Sequence, residues 1–583
     1  MSSSDKYQAV MELAKRRGFF WPSYEIYGGV AGFYDLGPYG VLLKNRIIDK
    51  WRRFFVQDHS NYVVEIESPV IAPARVFEAS GHVENFTDPI VECLKCGRKF
   101  RADHLIKDVL DIDVEGLSPE EMTRIIQEHG IRCPVCNGPL GDVKTFNLLF
   151  RTQIGPYEGN IGYLRPELAQ GMFVAFKRVY EAMRSRIPLG IAQVGRVGRN
   201  EISPRQAMMR LREFTIMEME YFIDPSDIEG SCPFFERHVN TRIRLLPWSA
   251  KKGEGKPEWY RLEEAVREGV IVHPCLGYWM AVAQSFMESL GIPRGEMYFE
   301  EKGPHERAHY SSQTFDQLVR VSRWGWVEVS GHSYRGDYDL SRHMRYSGAD
   351  LTVFKPYEKP RVEERVAYIV DRGVIGRMYR SRARDVFKLL ENVAPEELER
   401  AYLEGGGLKV GEFEIPASAI KRISKKMKIS GMKYVPHVVE PSFGVERVLY
   451  VTFEHAYRLK DGRVVLSLPR DIAPVQVAVL PLLEKDDKLK KKAVEVYHLL
   501  RVAGFYAVYD DSGNIGRRYA RYDEIGVPAA VTIDYQTLED NTVTVRDRDT
   551  WKQARVPLRE LVNALRRFIY QNAEIDSIGP IVG

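Results

Sequence analysis

Within residues 41–55 (VLLKNRIIDKWRRFF), Leu43, Ile47, Trp51 and Phe55 recur every fourth position, with charged residues between them. That spacing draws one apolar stripe along an amphipathic helix. Residues 62–71 predict an extended segment with Pro69 near its end, and a proline in a strand favours an edge or a terminus. A second helix is predicted over about 172–183, with Met172, Phe176, Val179, Tyr180 and Met183 on one face. A strand near Ile191, a polar loop with Pro204 and a long strand over about 212–223 predict an antiparallel hairpin. Residues 355–430 are charged and partly helical, the pattern of an insert. From about 470 onward the pattern becomes strand (475–480), helix (489–502), strand (505–509), helix (517–525), strand (529–533), strand (542–545) and helix (558–570). Such alternation predicts a separate α/β domain, residues 470–583, after a larger domain over 1–465.

A length of 583 residues agrees with several domains. Hydrophobic residues make up 44% and charged residues 28%, ordinary for a soluble globular chain. The net charge of +4, from 84 basic and 80 acidic side chains, neither requires nor excludes nucleic acid. A nucleic-acid partner would need basic residues gathered on one face. The start, MSSSDKYQAVMELAKRRGFFW, lacks the apolar stretch of a secretory signal. The longest apolar run, about 472–483, is broken by Pro474, Gln476 and Pro481 and is too short for a membrane span. Six cysteines in so long a chain do not make a disulfide framework, and the cytoplasm is the default compartment.

Four of those cysteines form two knuckles, Cys93-Leu-Lys-Cys96-Gly and Cys133-Pro-Val-Cys136-Asn-Gly, about 36 residues apart. Four thiolates suit tetrahedral zinc and leave no open position for chemistry. The spacing predicts a structural zinc insert over 93–140; free thiols are the alternative. Cys232 and Cys275 lack partners at metal spacing and read as core residues.

Three stretches carry candidate chemistry, and no Walker-type loop competes with them. In Gly198-Arg199-Asn200-Glu201-Ile202-Ser203-Pro204-Arg205, an arginine and a glutamate two apart would share one face of a strand. Arginine can grip a phosphate, and glutamate can accept from an adenine amino group. Arg212, Phe214, Ile216 and Glu218 likewise share a face: a cation, an aromatic platform and a carboxylate in a row. The plainer reading is a solvated charged hairpin with Phe214 in a core. In Glu440-Pro441-Ser442-Phe443-Gly444-Val445-Glu446-Arg447, a strand turns through Gly444 into a helix, with Arg447 in its first turn, where the dipole also favours anions. An Arg447 paired with a nearby carboxylate is the alternative. In Leu164-Arg165-Pro166-Glu167-Leu168-Ala169-Gln170-Gly171, a loop carries a carboxylate into a helix and by itself could be a cap.

Together these stretches resemble the class II aminoacyl-tRNA synthetases, specifically the homodimeric glycyl-tRNA synthetases. The hairpin resembles motif 2 of that class, the Gly444–Arg447 turn motif 3, and the 41–55 helix with the Pro69 strand the dimer-forming motif 1. YDLGPYGVLLKN, FEASGHVENFTDP, LRPELAQGMF, GRNEISPR with REF, AHYSSQTFD, YDLSRH and EPSFGVER are similar to the glycine enzymes, in order along nearly the whole chain. GRRYARYDEIGVPAAVTID resembles their anticodon-binding domain. Gly198 stands where the family usually has an aromatic residue and Leu168 where threonine is common, while Glu446 occupies a variable position.

The resemblance implies an α/β (α+β) fold: a catalytic domain on an antiparallel sheet, then a C-terminal α/β anticodon-binding domain. It implies ATP-dependent activation of glycine to glycyl-adenylate and transfer to the 3′ end of tRNA(Gly) by a cytoplasmic homodimer. A carboxylate is already a nucleophile, so the first step needs positioning and charge neutralisation more than proton transfer. Arg199 would hold the α-phosphate and Arg447 the γ-phosphate. Glu201 would accept from the adenine amino group, Phe214 stack on adenine and Arg212 support the phosphates. Asn200, Met209, Arg210, Leu211, Glu213, Val329, Gly444, Val445 and Glu446 would complete the ATP site. Glu328 would be the magnesium ligand, a hard oxygen suited to that ion. Arg101, Glu167, Glu218, Arg335, Glu440 and Ser442 would form the glycine site, where close packing rejects an added methyl. Two other readings stay open. A threonine enzyme would use an open zinc with mixed Cys and His ligands, unlike the four-cysteine set. An accessory subunit of DNA polymerase would be expected to lack the arginines at 199 and 447, which are present.

Overall fold

The computed structural model describes residues 3–582, apart from Asp113, Glu115, Glu158, Ser203, Arg205 and His309. Ser203, Arg205 and His309, quoted above within family-like segments, therefore lie outside the described residues. The side chains of Ser3, Ser4, Asp5, Glu363, Arg365, Lys425 and Met427 are likewise not described. Two compact units result, Met1–Leu351 with Pro436–Gly583 and, separately, Thr352–Val435.

The first unit is built on a nine-stranded, mostly antiparallel sheet. Its middle runs Gln313–Val321, Gly325–Gly336, His437–Gly444, Glu213–Ile223, Leu189–Gly198. Side chains alternate across a strand, and Glu213–Ile223 divides accordingly. Met217, Met219, Tyr221 and Ile223 enter the main hydrophobic core. On that side lie the helices Pro38–Phe55 and Pro274–Ser289, where Trp51, Phe55 and Trp279 stack at 5.2 and 5.7 Å between ring centroids. The predicted stripe of Leu43, Ile47, Trp51 and Phe55 is fully buried there. The helix starts three residues before the predicted 41–55 segment, with Pro38 in its first turn, where a missing N–H costs nothing. On the other side of the sheet, Phe222 meets Phe173 and Phe176 of the helix Ala169–Ala182.

The extended segment expected over 62–71 is two strands in two sheets. Val63–Glu65 pairs in parallel with the Leu189 strand, and Ile71–Pro73 pairs with Ile161–Leu164. Pro69 lies between them. The buried Arg165 guanidinium donates to the Ser68 and Pro69 carbonyls at 2.8 and 3.4 Å, so a side chain replaces the ladder there. The hairpin forms as predicted, with Gln193 opposite Glu218, but the strand stops at Gly198. Arg199 and Glu201 therefore do not share a strand face; they sit in the turn that follows.

The cysteine insert reaches slightly beyond 93–140. Strands Thr87–Glu92, Lys99–Arg101 and Lys144–Asn147 and the helices Ala102–Leu110 and Pro119–Glu128 enclose a small core with Val91, Ile106, Met122 and Ile126. The second unit, Thr352–Val435, includes the charged stretch 355–430. A long ribbon, Val353–Val370 with Ile420–Tyr434, accompanies a core of Ile375, Val386 and Ile415.

The C-terminal region forms a six-stranded sheet with the predicted order of elements. The sequence reading lacks the short helix Tyr535–Asp540 and the strands Gln553–Pro557 and Ile581–Val582. The strand Val477–Pro481 has two apolar faces. Val477 and Val479 belong to this region's own core, whereas Ala478 and Leu480 join the main core of the larger sheet. Among the described residues no helix is long and apolar enough to cross a membrane.

Candidate active site

The face of the Glu213–Ile223 strand opposite the core carries Phe214, Ile216 and Glu218, and all three line a cleft of about 380 Å³. One end of the cleft is rich in cations. The Arg199 guanidinium sits 5.4 Å from the Phe214 ring centroid and 5.6 Å from that of Phe86, and its Nε donates to the Pro166 carbonyl at 3.0 Å. Glu201 is paired with Arg210 at 2.8 Å. Arg447, in the first turn of the helix Val445–Ala456, donates to the carbonyls of Met209 (2.8 Å) and Glu328 (3.1 Å) and lies 3.3 Å from the Glu328 carboxylate. Lys302 also reaches this wall, 2.8 Å from Asp316. Burial and the neighbouring Glu328 push the Asp316 carboxyl up to about 7, although Lys302 opposes the shift.

The other end is a nest of acids around one buried guanidinium. Glu218 is 2% exposed and accepts from the Leu168 N–H at 2.7 Å. Glu440 lies 3.0 Å from Arg335. Arg335 is held by a bidentate pair of hydrogen bonds to Asp339 at 2.9 and 3.0 Å, with the Tyr310 ring 3.6 Å away. Glu167 faces His82 at 3.3 Å and accepts from Gln170 at 2.9 Å. Burial works against ionising each acid, but the outcomes differ. Around Glu167, His82, Arg335 and Gln170 outweigh burial and hold the carboxyl far below its usual range. For Glu218, burial together with Glu440 and Glu167 pushes it up to about 8. Glu440 is also raised, by burial, with Arg335 opposing.

Most residues implied by the resemblance converge here. Arg199, Glu201, Met209, Arg210, Leu211 and Phe214 line the cleft from the hairpin; Glu328, Val329 and Gly444 line it from the neighbouring strands, and Glu446 and Arg447 from the helix that follows. Glu167, Glu218, Glu440 and Ser442 form its acidic end. Six others stand outside the lining. Arg212 donates to the carbonyls of Glu201 and Ala31 and so braces the turn instead of facing a phosphate. Glu213 is paired with Arg196 at 2.7 Å, and Val445 is buried in the main core. The Asn200 backbone is tied to Leu148 at 2.7 Å. Arg101 is engaged by Asp88 at 3.0 Å and by Asp103. Arg335 lies behind the acids. Glu446 lines the cleft, but its carboxylate is bound by the Thr215 N–H and hydroxyl at 2.8 and 3.1 Å. At Gly198 a Cβ would sit 3.1 Å from the Phe150 ring, so that aromatic side chain already fills the space there.

Several lining residues were not singled out from the sequence: Lys302, Tyr310, Asp316 and, beside the cleft, His82 and Asp339. All but Lys302 fall inside segments already quoted for their resemblance. Glu220, two residues beyond Glu218, had the alternation of the strand as its signal.

The cysteine knuckles close on one another, with Sγ···Sγ distances of 3.5 Å (Cys93–Cys136) and 3.8 Å (Cys96–Cys133), and all four sulfurs lie within 4.8 Å of each other. Tetrahedral zinc at about 2.3 Å from each thiolate needs sulfurs about 3.8 Å apart. At Gly138 a Cβ would lie 3.1–3.2 Å from the Cys93 and Cys136 sulfurs, so the glycine allows the close approach.

Comparison with known proteins adds three findings. Residues 476–568 match the family model described as "Anticodon binding domain". The chain is 65% identical over 578 residues to the glycine–tRNA ligase of Aeropyrum pernix, covering 99% of both chains. It is 47% identical to that of Thermococcus gammatolerans, covering 97% of this chain and 99% of the relative. Among solved structures, it is similar in fold to a prolyl-tRNA synthetase from Cryptosporidium parvum (TM-score 0.51, 13% identity, covering 96% of this chain and 75% of that one).

Proposed function

The chain belongs to the glycine–tRNA ligase family, and on that premise we propose how its cleft divides the work of activating glycine and charging tRNA(Gly). The reaction joins glycine to ATP as glycyl-adenylate with release of pyrophosphate, then passes the glycyl group to the terminal ribose of tRNA. One observation carries the division: Arg199 and Arg447 stand at one end of a single cleft and Glu167, Glu218 and Glu440 at the other. Arg199 takes the α-phosphate, with Phe214 beside it as the platform for adenine. Glu201 accepts from the adenine amino group, and Arg447 meets the γ-phosphate. Glu167, Glu218 and Glu440, with the Ser442 hydroxyl, surround the ammonium of glycine. Its carboxylate then points toward Arg199, where an oxygen attacks phosphorus as the bond to pyrophosphate breaks. Placement and neutralisation of charge in a closed site supply the rate enhancement.

Magnesium travelling with ATP fits Glu328, with the hard oxygens of Asp316 beside it, and when bound would neutralise phosphate charge. Zinc fits the four cysteine sulfurs in number, donor type and spacing, and would be structural. Arg101 ends the insert's second strand, so an ordered insert keeps it near Asp88, behind the nucleotide end. The assembly is a homodimer in the cytoplasm. Exposed apolar residues flanking motif 1, Ile26 (88%) and Tyr27 (83%) with Val41, Val70 and Ile71, support a second copy as the partner. ATP–pyrophosphate exchange tests the activity: it must depend on glycine and not on alanine, serine, threonine or proline. Exchange driven equally by another amino acid would overturn the assignment of the acidic end.

A further inference from the structure

Glu220 is fully buried, yet among the described residues neither of its carboxyl oxygens has a hydrogen-bond partner. Burying a polar group this way is costly, so an unpaired acid in a well-packed sheet calls for a physical reason. Its position is well defined. The Glu213–Ile223 strand alternates, so Glu220 follows Glu218 on the cleft face. The register that sets Glu218 opposite Ser442 and Tyr221 opposite Val439 brings Glu220 opposite Glu440 on the next strand. Oxygens of Glu218, Glu220 and Glu440 lie within 4.8 Å of one another.

Charge counting limits what this cluster can be. Five acids, Glu167, Glu218, Glu220, Glu440 and Asp339, crowd round Arg335, with Tyr310 across its face, and a second guanidinium, that of Arg165, acts on Glu218. His82 faces Glu167 from the far side, and His343 is tied up with Gln170 at 2.9 Å. Opposite Glu220 on its other flank the sheet offers only Ile191. Glu167 and Asp339 hold two or more donors each, and around Glu167 those donors outweigh burial and keep its carboxyl low. Like charges at such distances cannot all ionise in a dry site, and the acid with no donor keeps its proton. Burial, and then Glu440, raise Glu220 well above the carboxylate range, in agreement with that order.

We propose that Glu220 is a positioning residue of the amino-acid site, a neutral carboxylic acid whose O–H donates into the Glu218–Glu440 pair and lets that pair stand ionised against a ligand ammonium. A neutral acid kept at physiological pH for its hydrogen bond is a known catalytic device in other folds. The strand across from Glu220 presents Glu440 as the acceptor, and turning the terminal carboxyl is the movement required. The inference rests on the pocket being the site for glycine. No proton is gained or lost by Glu220 when the ligand enters; the acid orients a hydrogen bond that the incoming charge strengthens.

Two substitutions and one spectrum test it. Glu220→Gln keeps the size and supplies an N–H donor without titrating. Glu220→Met has similar bulk and no donor. In glycine-dependent exchange, Glu220→Gln should keep the glycine KM within about threefold of wild type. Glu220→Met should raise it roughly tenfold or more, the scale of a lost hydrogen bond to a charged acceptor, with the ATP KM little changed. Both variants should melt near the wild-type temperature, because each nearly keeps the volume of the side chain and adds no buried charge. A Glu220→Met enzyme with the wild-type glycine KM overturns the proposal, as does a Glu220→Gln enzyme impaired as badly as Glu220→Met. If Glu220→Met fails to fold, infrared difference spectra decide alone. The wild type minus Glu220→Gln spectrum should show the C=O stretch of a protonated carboxyl, with and without glycine; its absence overturns the proposal. If exchange does not depend on glycine, the reading of the pocket falls instead, while the infrared band still reports on Glu220.

Discussion

Replacing Glu218 by glutamine tests the acidic end of the cleft with the least disturbance. The amide oxygen can still accept from the Leu168 N–H, now bound at 2.7 Å, and the volume is nearly unchanged. What disappears is the charge facing the ammonium. Truncating one member of a buried charge pair costs about 2–5 kcal/mol. Part of that is offset, because Glu218 is pushed up to about 8 in the empty site, by burial and then by Glu440 and Glu167. At pH 7 the wild type must first release a proton, at a cost of about 1.4 kcal/mol for one unit of pKa. The net difference is about 0.6–3.6 kcal/mol, or roughly 3-fold to 400-fold in the glycine KM.

The sign of the pH dependence follows. The ammonium prefers the ionised carboxylate, so wild-type affinity rises with pH up to about 8 and then levels. Between pH 7 and pH 8.5 the ionised fraction, and with it the affinity, grows roughly eightfold for a group of that pKa. Glutamine does not titrate, so the variant should show a flat profile over this window. Exchange kinetics at several pH values, with ATP KM and a melting curve beside them, provide the measurement. A glycine KM that is unchanged by the substitution, or a variant whose profile still bends near pH 8, would refute the assignment.

Four further outcomes are expected. Arg447→Ala should lower exchange turnover roughly 100- to 1,000-fold, the scale of removing one preorganised charge-stabilising donor, with little effect on melting, because this guanidinium contacts only the rim of the cleft; wild-type turnover would dismiss its phosphate role. Cys96→Ser should abolish stoichiometric zinc and make the 87–147 insert susceptible to proteolysis; zinc-free, fully stable wild-type protein would contradict a structural metal site. Lys488→Glu with Lys491→Glu, exposed on the helix Asp487–Val502, should weaken tRNA charging while sparing exchange, and equal losses in both assays would argue against tRNA binding by this region. Light scattering should report a dimer; a stable, fully active monomer would remove the second copy.

The last region also shows where reading the sequence succeeds and where it stops. The order of elements after residue 470 followed from alternation alone, yet so did a clean boundary, which the packing does not respect. Ala478 and Leu480 look like one half of an apolar strand until the larger sheet is seen to need them. Removing residues from 470 onward would therefore open the main core, which is why point changes are the better test. The same limit applies at Asp316 and Lys302. They lie fourteen positions apart, and their meeting depends on the register that sets Glu300 opposite Asp316. Strand register is not written in local spacing. Arg199 and Glu201 both line the cleft, but not by sharing a strand face as their spacing suggested. Beyond Gly198 the Arg199 N–H still meets the Arg212 carbonyl at 2.8 Å in the hairpin's register, but the Asn200 N–H leaves it for the Leu148 carbonyl at 2.7 Å, and the alternation of a strand is lost.

On the proposed assignment, the central strand would act as a ruler for the reaction. Side chains on one face recur about every 6.8 Å, at about 3.4 Å per residue. Phe214 and Glu218, four residues apart, are thus separated by about 14 Å along the strand. An adenine stacked near Phe214 and an ammonium at Glu218 leave room between them for a ribose, one phosphate and a two-carbon acid. Ile216, the residue midway, carries no charge, so nothing on the strand competes with the phosphate for Arg199. Beyond Glu218 the face closes with Glu220 and Phe222, both fully buried, the latter packed on Phe173 and Phe176. A larger amino acid would have to displace this packed end of the sheet, whose density makes such a shift costly. On the proposed assignment, selection for glycine would therefore come from where the ruler ends, while the acids along it would select for the ammonium.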